Sequence, residues 1–154
     1  MAKAKGEKLI VDNRRARHDF HLEDRVEAGL MLAGTEVKAL RTGQATLQRS
    51  YAEVRGGEAW LVGLHIPEYV EANRANHDPD RPRKLLLHRR EIDRLDSGVR
   101  EKGLTIVPTR LYFKDGRVKV EIALARGKAL HDKRRDIADR DARRQIEREL
   151  KARD

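Results

Sequence analysis

Residues 104–127 read LTIVPTRLYFKDGRVKVEIALARG, and this stretch decides the fold. Val118, Val120, Ile122 and Leu124 alternate with Lys119, Glu121 and Ala123. A period of two gives a strand one apolar and one polar face. On the partner strand Thr105, Val107, Thr109, Leu111 and Phe113 are expected to share a face. Between the runs, Asp115-Gly116 tolerates the positive φ angles of a tight type I′ turn. A hairpin over 104–126 is therefore predicted. At Gly127 the alternation stops and a charged arm begins. The pattern is that of a body that docks and an arm that reaches.

Upstream of the hairpin the signals are shorter. Residues 1–8 read as a flexible basic lead-in, 9–128 as one barrel, and 129–154 as a charged tail. A strand starting at Leu9 is extended through Leu22, with Arg14, Arg15 and Arg17 clustered on it. Residues 23–33 read as a short helix, with Leu22, Val26, Leu30 and Ala33 on one face and Gly34 as C-cap. Residues 35–41 read as a strand, and 45–49 as a short helix or an irregular link. Residues 50–54 and 58–66 read as strands joined by Gly56-Gly57, with Trp60 as a core anchor. Residues 67–82 form the longest irregular stretch and hold three of the four prolines. A helix through Lys102 is marked by Ile92, Leu95 and Val99 and stopped by Gly103. The expected architecture is mainly β with short helices (α+β): an antiparallel barrel of the oligonucleotide-binding type with inserted helices.

Composition narrows the function. Of 154 residues, 35 are Lys or Arg and 26 are Asp or Glu, so the net charge is +9 and the surface draws polyanions. Without cysteine, disulfides, thiolate metal sites and thiol catalysis are excluded. No apolar run reaches the roughly 18 residues of a membrane span, and a cytoplasmic, monomeric protein is expected. The six histidines show no metal-ligand spacing. His18 and His21, if on one strand, point to opposite faces. No phosphate loop or nucleophile elbow occurs, so no enzyme, metal or cofactor is expected. Only six aromatics are present, too few for a long base-stacking track. Recognition of folded RNA by shape and backbone fits better. The arginine cluster at 14–17 reads as phosphate-contacting rather than as a solvated strand end. Glu27, off the apolar face, would pass as an ordinary solvated carboxylate.

From 132 to 154 the tail has nine Lys or Arg and seven Asp or Glu, a net +2. Its stripe of Ile137, Ala138, Ala142, Ile146 and Leu150 is thin. A tail disordered when free and helical when bound is expected, against the alternative of a permanent helix packed on the barrel.

Several blocks also carry a resemblance. They are Asn13-Arg14-Arg15-Ala16-Arg17-His18, Glu27-Ala28-Gly29-Leu30, the run from Gly34 to Arg41, and Arg83-Lys84-Leu85-Leu86-Leu87-His88. Glu91-Ile92, the run from Gly103 to Pro108, Gly127-Lys128 and His131-Asp132-Lys133-Arg134 follow in order. Together they resemble the small protein B family, the SsrA-binding proteins of bacterial ribosome rescue. The resemblance implies an oligonucleotide-binding-like barrel that grips the tRNA-like domain of transfer-messenger RNA. It implies delivery with elongation factor Tu to stalled ribosomes, with the tail in the vacant decoding site and mRNA channel. By motif, Asn13, Arg17, Glu27, Lys84 and Leu87 fall at the RNA face. Arg14, Arg15, His18, Lys38, Arg83, Lys119, Arg126 and Lys128 complete the expected RNA-binding set. His131 is expected to stack on a ribosomal base and Lys133 and Arg134 to meet ribosomal phosphates, with Asp132 and Arg135 beside them. The general alternative is a structured-RNA-binding or ribosomal protein without that specificity.

Overall fold

In the computed structural model, residues 6–70, 72, 76–128 and 130–153 are described, without the side chains of 130–136 and 152–153. The elements are β1 (Glu7–Asp12), α1 (Arg14–Asp19), β2 (Phe20–Leu30), α2 (Gly34–Arg41), β3 (Tyr51–Arg55) and β4 (Glu58–Val62). They continue with β5 (Arg83–Leu86), α3 (Arg89–Lys102), β6 (Thr105–Lys114), β7 (Arg117–Gly127) and α4 (Leu130–Arg153).

The anticipated hairpin is β6–β7, and Asp115 and Gly116 both take positive φ, 50° and 79°, at its turn. Its faces differ from the reading in one respect. The register shifts between Pro108 and Arg110, a bulge at Thr109. Ile106 and Pro108 oppose Leu124 and Ile122, whereas beyond the bulge Leu111 and Phe113 oppose Val120 and Val118. One extra residue reverses the parity of a strand. Val107 thus leaves the main core and joins a small second cluster with Ala16 and Ala125.

All strand pairings are antiparallel, in the order β1-β6-β3-β4-β5-β2-β7, and β6–β7 pairing closes the barrel. One edge of β6 serves two partners, β3 at Ile106 and β1 along 110–114. The core inside holds Val26, Ala28, Leu61, Leu85, Leu95, Ile106, Leu111, Val120 and Ile122, with Leu40, Leu47, Leu64 and Ile66 closing it.

Three upstream elements correct the sequence reading. Residues 23–33 are not a helix; most belong to β2. Leu22, Val26 and Leu30 are four apart, which suits a helical face, but for Val26 and Leu30 four is also a multiple of two, while Leu22 lies beyond a bulge and packs in the second cluster. Pairing with β7 over Phe20 to Gly29 selects the strand, broken once by a bulge at Asp24 (φ 48°). Residues 34–41 are helix, not strand: Glu36, Ala39 and Leu40 are buried at i, i+3, i+4 spacing. Residues 14–19 are helix, capped by Asn13, whose Oδ1 accepts the Ala16 N–H at 3.2 Å. His18 and His21 therefore do not share a strand. Trp60 is not a core anchor: Ala59 and Leu61 face in, and Trp60 stands half-buried outside, beside Pro82.

Other readings agree with the structure. α3 ends on Gly103 at φ 66°, and Gly56-Gly57 turns β3 into β4 with φ of 60° and 77°. The described residues of 67–82 carry no helix or strand and are pinned near the ends of the stretch. His77 Nε2 donates to the Ile66 carbonyl at 2.9 Å, and Arg83 donates to the Pro79 carbonyl at 3.0 Å.

The tail is the helix α4. Ile137, Ile146 and Leu150 of its stripe are exposed, so apolar burial does not hold it against the barrel.

Candidate nucleic-acid interface

Two separate recesses gather most of the expected binding residues. The first, about 710 Å³, lies on the barrel wall among β2, β5, the β3–β4 turn and the start of α3. It brings together Glu27, Lys84, Leu87 and Lys119, four residues scattered over the sequence. Gly29 forms part of its floor: a Cβ there would sit 3.2 Å from that of Leu86, so β2 and β5 approach closely. Leu86 is exposed on the rim and Leu87 half-buried. Lys84 pairs with Glu58 at 3.1 Å. The recess thus offers cations for phosphate, carboxylates for base amino or ribose hydroxyl groups, and apolar side chains for a base face.

Glu27 is held in place. The Tyr112 hydroxyl donates to its Oε2, and Lys114 Nζ lies 3.3 Å from the same oxygen. The Tyr112 hydrogen bond holds the carboxyl below the usual glutamate range, with Lys114 assisting and slight burial opposing. Burial and the Glu27 carboxylate together raise the Tyr112 phenol, so it stays a donor at neutral pH. Arg110 lies over the ring with 4.3 Å to the centroid. Tyr112 and Lys114 were not singled out in the sequence. They sit 85 and 87 positions from Glu27, and only the barrel brings them together.

The second recess, about 650 Å³, opens between α1 and α4. Arg14, Arg17, His18 and Lys128 meet Arg140, Arg143 and Arg144 there, with Asp139 as the lining acid. The tail arginines were also missed, although their i, i+3, i+4 spacing marks one helix face.

Two expected RNA contacts are corrected. Asn13 is 2% exposed, and besides capping α1 it donates to the Pro108 carbonyl at 2.8 Å. Arg83 is fully buried, donating from Nε to Glu36 Oε2 at 2.7 Å and from its terminal nitrogens to the Leu64 and Pro79 carbonyls. Neither side chain is available to RNA; both are pins of the fold. Arg81 also donates to Glu36, as does the Ala33 N–H at 2.9 Å. Burial works against ionisation of Glu36, but these donors prevail and hold its carboxyl below the usual range.

Of the remaining expected contacts, Lys38 lines neither recess and lies 5.8 Å from the Tyr69 ring centroid. Arg15 pairs with Asp19 at 3.3 Å, and Arg126 is exposed on β7 opposite His21. The side chains of His131, Asp132, Lys133, Arg134 and Arg135 lie outside the described residues. Among the described residues no cluster of three or more His, Asp or Glu could hold a metal, and no helix is long and apolar enough to cross a membrane.

A closed antiparallel barrel with a mixed cleft on its wall and a cationic groove between α1 and α4 defines a polyanion-binding module. The sequence model of the SmpB protein family matches residues 10–152, and the chain belongs to that family. The SsrA-binding protein of Thermobifida fusca is 59% identical over 151 residues, covering 98% of this chain and 94% of that one. The SsrA-binding protein of Syntrophomonas wolfei is 58% identical over 151 residues, covering 98% and 96%. A chain of the solved structure described as "tmRNA-SmpB: a journey to the center of the bacterial ribosome" superposes with a TM-score of 0.66 at 48% identity. That match covers 78% of this chain and 85% of the other.

Proposed function

We propose that this chain binds the tRNA-like domain of transfer-messenger RNA and delivers it to stalled ribosomes. The observation that carries the reading is the barrel-wall cleft. Its Glu27, held by Tyr112 and Lys114 and flanked by Lys84, Leu87 and Lys119, combines phosphate attraction with a fixed acceptor. Fixed acceptors give selectivity that a cationic surface alone lacks. The SsrA-binding names of its relatives and its likeness to a chain solved with transfer-messenger RNA support the same ligand. The chain acts as a monomeric binding protein rather than a catalyst. The RNA reaches the ribosome together with elongation factor Tu, and the tail enters the decoding site and mRNA channel.

The test is binding to transfer-messenger RNA at physiological salt in excess ordinary tRNA. Binding that withstands the competitor is expected. Equal competition would leave a general RNA-binding barrel and overturn the reading, because phosphate attraction alone does not distinguish the two RNAs.

A further inference from the structure

The groove between α1 and α4 has two walls of the same charge. Arg14, Arg17 and Lys128 stand on the barrel side, and Arg140, Arg143 and Arg144 on the tail side, where Asp139 leaves the wall net positive. Arg17 is paired with Asp12 at 2.6 Å and His18 with Asp19 at 2.9 Å. Arg14, Arg140, Arg143 and Arg144 have no ion pair among the described residues. Among the described side chains nothing apolar draws the walls together, because Ile137, Ile146 and Leu150 are exposed. Like charges facing across a groove repel, and an anion placed between them turns the repulsion into attraction. The charge is mostly guanidinium, which grips phosphate oxygens in a bidentate fork. Apart from the His18 imidazole the groove lining includes no aromatic and no aliphatic side chain, and stacking on an imidazole or a guanidinium plane accepts any base.

We propose that α1 and the tail helix form a clamp that closes on the sugar–phosphate backbone of an RNA strand without reading its sequence. The proposal rests on the preceding section only in taking RNA as the polyanion. It assigns to Arg140, Arg143 and Arg144 a binding role together with Arg14. It also makes tail docking a consequence of strand binding. An anionic membrane fits less well, because the groove is concave and lacks apolar residues that would insert.

The test uses the full chain and a fluorescein-labelled twelve-nucleotide oligouridylate. The R140Q/R143Q/R144Q variant is expected to bind it at least tenfold more weakly. The slope of log affinity against log salt should shrink by about 2, since each single-strand phosphate contact contributes about 0.7. Arg14→Gln alone should weaken binding severalfold, and much less so in the triple variant, because both walls grip the same strand. The R140K/R143K/R144K variant keeps the charge and should keep most of the salt slope. That outcome separates charge loss from any change in the helix. An unchanged salt slope in R140Q/R143Q/R144Q, or losses that simply multiply between the two walls, would overturn the clamp. So would loss confined to phosphatidylserine vesicles with oligouridylate binding intact.

Competitor-resistant binding of transfer-messenger RNA to the unmodified protein is measured alongside, because it reports on the barrel-wall cleft. Its absence from the unmodified protein would overturn the proposed function and leave the clamp standing. Its presence, with oligouridylate binding insensitive to the triple substitution, would do the reverse.

Discussion

At the scale of single residues, the hydroxyl of Tyr112 sets what Glu27 can do. A free glutamate on a strand samples several rotamers; one oxygen tied to Tyr112 leaves the other aimed. Tyr112→Phe keeps the buried ring and removes only that tie. RNA affinity measured by filter binding is expected to fall about 3–10-fold, the worth of one ordinary hydrogen bond. The salt slope should stay unchanged, because no phosphate contact is lost. A reduced slope would show that the pair holds a cation rather than the carboxylate. Asn13 behaves in the opposite way. Asn13→Ala removes a helix cap and a buried donor, at a cost of about 1–3 kcal/mol in urea unfolding. RNA affinity of the folded protein should be unaltered.

At the scale of elements, α2 is tied to β5 through a buried ion pair. Glu36→Gln leaves Arg83 buried beside a neutral partner, and stability at pH 7 should fall by about 3–5 kcal/mol. The sign with pH follows from the depressed carboxyl. Its contribution is complete above the ordinary value of 4.5 and is lost as pH falls through the lower folded value. Thermal unfolding from pH 7 to 3 should therefore show an acid-side loss that Glu36→Gln flattens; parallel curves would remove the pair from that role. The same pair explains what the sequence concealed. The hairpin and α3 were legible because turn, period and cap lie within one short window. The helix α2 was not, because it buries a glutamate whose partner, Arg83, is 47 positions away. β2 was misread because its apolar spacing of four satisfies both periods, and only β7 chooses between them. The candidate interface was expected from composition and by resemblance. Its geometry was not, since burial removes Asn13 and Arg83 from an otherwise plausible basic surface.

At the scale of the whole molecule, a barrel with a full core carries a helix whose apolar stripe faces water. The two parts should differ in stability. Amides of β6 and β7 are expected to exchange by global unfolding, and those of α4 within seconds by local opening. Protection of α4 equal to that of the barrel would show that the tail is packed. Removing the tail after Lys128 should leave competitor-resistant RNA binding nearly intact while abolishing peptide tagging on stalled ribosomes; tagging that survives would break the proposed division of labour. The shared edge of β6 bears on how the protein is made. β1 is synthesised well before β6, yet Glu7 pairs with Lys114 and Asp12 with Arg110. At roughly 5–20 residues per second, the first strand waits on the order of 5–20 s for its partner to be translated. Throughout that interval every nascent chain has an open barrel and an unpaired edge. A ribosome that halts before residue 114 holds an unclosed product that proteases can enter.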